Sequence, residues 1–173
     1  MKLVLPSIEY EESFRGYLKE LETLGRSATE VDSETLFKQS SSFEDFVTKL
    51  RAGAEGKFLP EGYVPHTTYW LVEGERFIGG VNIRHRLTDH LREIGGHIGY
   101  AIRPSERGKG YGNKILELAL PKAKELGIIQ VRITCNEDNI ASRKIIEKNG
   151  GVFDGTATTP DGTIKRRYWI TKK

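Results

Sequence analysis

The spacing of hydrophobic residues changes along the chain, and each spacing predicts an element. In the first third, apolar residues recur every three or four positions after Ser7 and again after Ser42. This period predicts two amphipathic helices, each with a serine that can cap its first turn. The first helix is expected to end at Gly25, and the polar stretch 26–41 between the two helices is predicted to be mostly loop.

Shorter stretches rich in β-branched and aromatic residues predict strands. Two of them flank Glu73-Gly74-Glu75-Arg76, which reads as a hairpin turn, and the last two flank a second turn at Pro160-Asp161-Gly162. The predicted strands are 2–5, 67–72, 77–84, 97–102, 128–134, 152–158 and 164–170.

The second half alternates strands with helices. A helix is predicted over 113–126, with a kink at Pro121 and a stop at Gly127, and another over 139–149, capped by Asn139. The crossover at 97–134 would set its two strands parallel. The pattern predicts one domain over 1–173, of class α/β (α+β), with a mixed, mostly antiparallel sheet of about seven strands and about four helices.

Composition excludes several classes of function. The net charge is only +3 and the basic residues are scattered, which argues against nucleic-acid binding. Cys135 is the single cysteine, so no intrachain disulfide forms and a reducing compartment is favoured. The four histidines have no metal-ligand spacing, so no metal is expected. Without a signal peptide or an apolar run of membrane-spanning length, the sequence predicts a cytoplasmic protein that binds no membrane.

A glycine-rich turn links a strand to a helix and carries the sharpest chemical signal. It reads Arg107-Gly108-Lys109-Gly110-Tyr111-Gly112. Glycines permit a tight turn and bare the backbone N–H groups at the helix start, where the helix dipole is positive. The turn alone favours a glycine-rich loop with solvated basic residues, because short glycine motifs match by chance. Its strand–turn–helix setting favours an anion site suited to a pyrophosphate.

The chain resembles the GNAT superfamily of acetyl-CoA-dependent N-acetyltransferases in four ordered pieces. These are the strand 98–104, the turn 107–112, which fits an Arg/Gln-x-x-Gly-x-Gly/Ala loop, the segment 134–139 after the next strand, and the helix 139–151, which fits Asn-x-x-Ser…Lys-x-Gly-Gly/Phe. The resemblance implies that strands 97–102 and 129–134 splay apart and that acetyl-CoA enters the gap between them.

The resemblance also assigns cofactor contacts. Backbone groups of Ala101–Arg103 would pair with the pantetheine amides, and the amides of the glycine turn would hold the pyrophosphate. The expected cofactor-binding residues are Ala101, Ile102, Arg103, Arg107, Gly108, Lys109, Gly110, Tyr111, Gly112, Asn113, Asn139, Ser142 and Lys144.

The implied reaction is direct attack of a neutral amine on the acetyl thioester, with a backbone N–H near Ile102 as oxyanion donor. His97 and Glu93 are the candidate proton acceptors, because Gly96 occupies the position where many family members have Glu. The family's usual acid, a tyrosine, is replaced by Ile146, so Tyr100 is the candidate substitute. For each of the three candidates a purely structural role is the alternative.

These features predict an N-acetyltransferase whose partners are acetyl-CoA and a primary amine of a small molecule or peptide. They are compatible with a homodimer of this chain. The absence of the usual acid and base leaves a non-catalytic acyl-CoA-binding or sensor protein as the alternative. A nucleotide-binding domain that merely shares a glycine turn ranks last, because no Lys-Ser pair follows the glycines. The acceptor itself has no readable motif; the N-terminal helices, 87–93 and the last hairpin are expected to build its pocket.

Overall fold

The computed structural model describes the backbone of residues 1–24 and 28–171, and the side chains of 1–23 and 33–171. The helices are α1 (Glu11–Leu24), α2 (Ala28–Lys38), α3 (Phe43–Ala52), α4 (Tyr111–Glu125) and α5 (Ile140–Lys148). The strands are β1 (Lys2–Val4), β2 (His66–Glu73), β3 (Arg76–Arg84), β4 (Ile98–Ile102), β5 (Gln130–Asn136), β6 (Val152–Thr158) and β7 (Ile164–Thr171). No helix in these ranges is long and apolar enough to span a bilayer.

The strands form two antiparallel sheets, in the orders β1-β2-β3-β4 and β5-β7-β6. The sheets meet at one isolated bridge between Gly96 and Ile133. A Cβ on Gly96 would lie 2.6 Å from the carbonyl oxygen of Arg132, so this close approach requires glycine. The predicted parallel pair, β4 and β5, therefore forms no hydrogen-bonded ladder. The strands meet near the start of β4 and form no ladder beyond that point, and we call the space along this unpaired edge of β4 the gap.

The prediction of loop over 26–41 is wrong for α2, which makes five α-helices in the described ranges instead of four. Among the described side chains of this helix, the apolar ones that pack against the core, Leu36 and Phe37, are neighbours near its C-terminal end, and the sequence 28–38 lacks the repeating apolar stripe that marks a helix. The predicted end of α1 at Gly25 lies outside the described residues. Helix α4 begins two residues earlier than predicted and continues through Pro121.

The predicted caps are confirmed where the structure describes them. Ser42 accepts a hydrogen bond at 3.0 Å from the N–H of Asp45, and Asn139 accepts one at 2.9 Å from the N–H of Ser142. Ser7 caps a short 3-10 turn that leads into α1. These local bonds fix where α3 and α5 begin, and hence the direction in which each helix leaves the sheet.

Two hydrophobic cores lie in the domain. The first is mostly aliphatic and lies between the sheets and helices α4 and α5, with Ile115, Leu116 and Ile146 fully buried. The second is mostly aromatic and joins α1 and α3 to strands β2 and β3. Phe14 is at its centre, 5.0 Å from the Trp70 ring and 5.1 Å from the Phe77 ring between centroids. The fold thus has two chemically distinct sides.

Candidate active site

The glycine turn between β4 and α4 presents open backbone amides. Gly108 and Gly110 have φ of +79° and +87°, in the left-handed region that favours glycine. A Cβ on either residue would meet no atom within 4 Å, so the space above the turn is open. In the described part of the chain, no backbone carbonyl accepts a hydrogen bond from the N–H groups of 108–112. The turn therefore has the donors and the room for a pyrophosphate.

The charged side chains of the turn are already partly engaged. Lys109 binds Glu106 at 3.0 Å, and Glu106, which is buried, also binds Arg76 at 2.6 Å. The two cations lower the pKa of Glu106. Arg107 donates from Nε to the carbonyl of Ile102 at 3.0 Å. These bonds orient the turn, and an arriving phosphate would meet cations held in place.

Gly112, which ends the turn, and Asn113, which follows it in the predicted cofactor set, make contacts within the protein. A Cβ on Gly112 would come within 2.6 Å of Cδ1 of Ile145, so this glycine permits close packing of α4 on α5. Asn113 donates its N–H to the carbonyl of Gly110, and its Oδ1 accepts from Asn149 at 3.0 Å. The backbone N–H and the Oδ1 of Asn113 are thus in use within the protein, and the cofactor role of its side chain stays a prediction.

The edge of β4 that faces the gap is defined by the strand's alternation. The N–H of Arg103 donates to the carbonyl of Ile78 in β3, and Ala101 lies in register with Gly80 on the same side. Because alternate residues of a strand direct their N–H and C=O to opposite edges, the backbone of Ile102 faces the gap. Because β3 already uses the edge that Ala101 and Arg103 present, the geometry argues against their predicted pantetheine pairing and favours Ile102.

The side chain of Arg103 points away from the gap. It is buried, and its guanidinium binds Glu20 of α1 at 2.7 Å and the carbonyl of Ser13 at 3.1 Å. Glu20 also accepts from the N–H of Ser105, and these hydrogen bonds outweigh burial and lower its pKa. Arg103 thus ties α1 to the start of the glycine turn.

On the opposite face of β4, Tyr100 reaches α5. Its hydroxyl lies 3.2 Å from Oγ of Ser142. Burial raises the pKa of Tyr100 to about 12, a change that the hydrogen bond to Ser142 opposes. An ordinary thiol has a pKa of about 8.5, so the free energy of proton transfer from Tyr100 to a thiolate would be unfavourable. The hydroxyl is better suited to donating a hydrogen bond than to acting as the acid.

The remaining predicted residues of α5 and its neighbourhood are divided between surface and core. Asn139 and Lys144 are exposed, whereas Ile146 is fully buried in the aliphatic core and has no proton to give. Cys135 is buried, and its burial raises the pKa of its thiol, so it remains protonated. This part of the site thus supplies two hydroxyls that could contact a cofactor, those of Ser142 and Tyr100.

His97 is buried at the contact between the two sheets. Its Nδ1 accepts a hydrogen bond from the N–H of Arg132 at 2.9 Å, and its own N–H donates to the Arg132 carbonyl at 2.7 Å. Burial, with Arg92 and Arg84 nearby, lowers the pKa of His97 to about 4. A neutral imidazole with a lowered pKa and an occupied Nδ1 is a poor base at neutral pH, which argues against the predicted catalytic role of His97.

Glu93 lies in a single π-helical turn, Leu91–Gly95, just before β4. Its carboxylate forms an ion pair with Arg167 of β7, and its side chain is about half exposed. This ion pair occupies the carboxylate and directs it towards β7. The structure therefore gives Glu93 a bridging role between the two sheets and argues against its role as the base.

A cavity of about 410 Å³ lies on the aromatic side of the first sheet. Helices α2 and α3 and the segment 58–63 wall it, and His66, Thr68, Asn82 and Arg84 form its floor. A smaller cavity shares Thr68 and Asn82 and extends to Ala101 of β4. The larger cavity thus leads to the strand that borders the gap, opposite the face that carries Tyr100.

The polar floor of the larger cavity was not predicted, although the sequence of β2 and β3 contains a signal for it. His66 is in register with Arg84, and Thr68 is in register with Asn82. Polar residues at alternate positions of two adjacent, otherwise apolar strands indicate a buried polar face. Of the predicted pocket walls, the N-terminal helices contribute, whereas 87–93 and the last hairpin do not line it.

The chain matches the family model of the acetyltransferase (GNAT) domain over residues 26–152, which is more than half of its length. It therefore belongs to the GNAT family, as the sequence resemblance predicted. No curated protein matches its sequence.

Solved structures share the fold at low sequence identity. One is the Salmonella typhimurium acetyltransferase that modifies the N-terminal serine of a ribosomal subunit protein (14% identity, 99% of this chain and 94% of that chain covered, TM-score 0.63). Another is a mutant of spermidine N-acetyltransferase SpeG from Vibrio cholerae (15%, 99% and 95%, 0.61). A third is RimL, a ribosomal protein α-N-acetyltransferase, in complex with coenzyme A (16%, 99% and 94%, 0.61).

Family membership makes the chain an N-acetyltransferase with a mixed α/β GNAT fold. The two antiparallel sheets flanked by helices agree with the fold class predicted from sequence.

Proposed function

We propose that the chain binds acetyl-CoA along β4 and the glycine turn and presents it to a primary amine held in the 410 Å³ cavity. The observation that supports this proposal is the open space above Gly108 and Gly110. The backbone N–H groups beside it, at the start of α4, donate to no backbone carbonyl of the described residues. A Cβ at either position would enter the space that a pyrophosphate needs.

Acetyl-CoA, when bound, supplies an acetyl thioester that a neutral amine can attack directly. The N–H of Ile102, which faces the gap, would donate a hydrogen bond to the thioester oxygen and stabilise the charge that develops there. Tyr100 and Ser142, 3.2 Å apart, would donate a hydrogen bond to the departing thiolate. A thiolate is a tolerable leaving group, so this support needs no full proton transfer.

The amine must lose a proton before it attacks, and His66 is our candidate acceptor. It lines the cavity, and its Nδ1 lies 3.2 Å from the carbonyl of Val64, to which it would donate. His66→Gln is expected to lower kcat/KM by about a hundredfold and to change its pH profile, since general bases contribute about 10²–10⁴. An unchanged profile would exclude His66.

Incubation with acetyl-CoA and a panel of amines tests the function itself. We expect CoA thiol release that depends on the amine, and tight CoA binding in calorimetry. The non-catalytic alternative predicts that CoA binds but that no amine in the panel causes release of the CoA thiol. Failure to bind CoA would overturn the placement of the cofactor.

Other features remain predictions with their own tests. The described residues contain no group of three or more His, Cys, Asp or Glu that could hold a metal ion, and activity in the presence of a chelator tests metal independence. Fractionation tests the cytoplasmic location. Sedimentation velocity tests the homodimer, and binding assays with DNA, RNA and vesicles test the expected indifference to nucleic acid and membranes.

A further inference from the structure

We infer that Arg76, at the start of β3, is a further cofactor-binding residue, and that together with Lys109 it binds the 3′-phosphate on the ribose of coenzyme A. The inference rests on the proposed function, which places the diphosphate of the same molecule on the amides of the glycine turn. It adds a binding site for a phosphate monoester beside that turn.

The first argument is the position of Arg76. Strands β3 and β4 are antiparallel, and Gly79 is in register with Ile102 at the end of β4. The start of β3 therefore lies at the same end of the sheet as the glycine turn, and Nη2 of Arg76 lies 3.5 Å from Oγ of Ser105. Thirty positions separate Arg76 from Glu106 in the chain, so the glycine motif gave no indication of this neighbour.

The second argument is the way in which one buried carboxylate holds two cations. Glu106 is 6% exposed. Its Oε1 accepts from Nε and Nη2 of Arg76, at 3.0 and 2.6 Å, and its Oε2 accepts from Nζ of Lys109 at 3.0 Å. Because the cations bind the two oxygens of one carboxylate, they lie side by side, close enough for one phosphate to contact both. The bond from Lys109, followed by those from Arg76, lowers the pKa of Glu106, so the carboxylate stays ionised at neutral pH.

The third argument is the set of N–H groups that the two cations keep. A guanidinium has five N–H donors and an ammonium has three. Nη1 of Arg76 takes no part in the bonds to Glu106 and Ser105, and Lys109 gives Glu106 one bond. The side chains of Arg76 and Lys109 are about half exposed. Their remaining donors can therefore bind an oxyanion without breaking either ion pair.

The fourth argument is the arrangement of charge before the turn. Glu20 binds Arg103 at 2.7 Å and also accepts from the N–H of Ser105. With Arg76, Lys109 and Glu106, these contacts join three cations and two carboxylates, which leaves a net charge of +1. Both carboxylates are largely covered, whereas Arg76 and Lys109 are the more exposed members. An arriving anion thus meets the cations first.

The chemistry of coenzyme A supplies a group that matches this cation pair. Besides its diphosphate, the molecule has a phosphate monoester at the 3′ position of the ribose, with a charge of about −1.5 to −2 at neutral pH. The ribose is joined to the diphosphate, so a diphosphate on the turn leaves the monoester nearby. Lys109 belongs to the turn, and Glu106 holds Arg76 beside it. A guanidinium can donate two parallel bonds to a phosphate.

Calorimetry with coenzyme A and with dephospho-coenzyme A, which lacks only the 3′-phosphate, tests the inference on the unaltered protein. We expect the dissociation constant of dephospho-coenzyme A to exceed that of coenzyme A by about tenfold or more, as charge-assisted hydrogen bonds provide. The ratio should shrink as the salt concentration rises, because the contact is half exposed.

The matched variants are Arg76→Gln and Arg15→Gln. Arg15 is likewise 50% exposed and bound to a glutamate, Glu11, at 2.8 Å, but it lies on α1. Arg76→Gln should weaken the binding of coenzyme A by about tenfold and leave that of dephospho-coenzyme A within about twofold. Arg15→Gln should change neither. Circular dichroism checks that both variants are folded.

Arg76→Lys serves as a second variant if Arg76→Gln does not fold. A lysine keeps the charge opposite Glu106 but cannot donate two parallel bonds, so the ratio between the two ligands should narrow. A ratio equal to that of the wild type would contradict the contact.

Three outcomes would overturn the inference while the acetyltransferase function stands. Equal affinities of the wild type for the two ligands would mean that the 3′-phosphate is not bound. Equal losses for both ligands in Arg76→Gln would assign Arg76 to the diphosphate or to the shape of the turn. An unchanged ratio in that variant would place the 3′-phosphate elsewhere. Absence of binding for both ligands in the wild type would instead remove the proposed function.

Discussion

The candidate sites on the two sides of the first sheet differ in which parts of the chain form them. On the side of α4 and α5, the candidate cofactor site comes from one continuous segment, and its donors are backbone amides at Gly108 and Gly110. On the side of α1–α3, the cavity is assembled from residues between Ser33 and Arg84, and its chemistry is in side chains. Backbone donors tolerate sequence change wherever glycines preserve the turn, whereas a side-chain site can change its ligand by single substitutions.

The largest effect should follow from blocking the backbone site. Gly110→Asp places a carboxylate where the pyrophosphate would lie, and we expect CoA affinity in calorimetry to fall by about a thousandfold or more, which is about 4 kcal/mol. The matched control is Gly127→Asp, because Gly127 has a similar φ of +80° and equally open surroundings at the far end of α4. Equal losses in both variants would mean that strain, and not the anion site, caused the effect.

An effect of similar size should separate the two cores. Phe14→Ala removes a ring that contacts Trp70 and Phe77 at the centre of the aromatic core, and should lower the free energy of unfolding by about 3–5 kcal/mol. Urea denaturation measures it, with exposed Ile8→Ala as the control. In the fraction that remains folded, CoA affinity should be retained. A parallel loss of CoA affinity would show that the two sides are not independent.

The contact between the sheets should make stability depend on pH. The folded pKa of His97 is about 4, against an ordinary value near 6.5. As pH falls from 6.5 towards 4, the unfolded chain takes up a proton that the folded chain does not, so stability falls by at most about 3 kcal/mol. His97→Asn should flatten this part of the wild-type profile, whereas His90→Asn, on an exposed histidine, should not. Matching profiles for wild type and His97→Asn would contradict the shift.

The smallest effect concerns the rim of the cavity. Phe58→Gly relieves a positive φ and should change the free energy of unfolding by no more than about 1 kcal/mol, because glycine's unfolded-state entropy opposes the gain. Phe58→Ala keeps the strain and removes the ring. If the ring contacts the acceptor, both variants raise KM for the amine alike. A rise in only one of them would assign the effect to the backbone.

The sequence determined the parts of this protein that local physics encodes. The caps at Ser42 and Asn139 and the glycine turn before α4 depend on neighbouring residues, so their spacing predicted them and carried the family resemblance. Helix α2 escaped prediction because its stability comes from packing Leu36 and Phe37 on a distant core.

Tertiary structure decided which chemistry each residue can perform. His97 and Glu93 are good bases in isolation, but Arg132 and Arg167, which come from β5 and β7, occupy them. Conversely, His66 gains its candidate role only because the pairing of β2 with β3 places it on the floor of the cavity. Charge, burial and hydrogen-bond partners are properties of the assembled neighbourhood, and they are fixed only when segments distant in the chain come together.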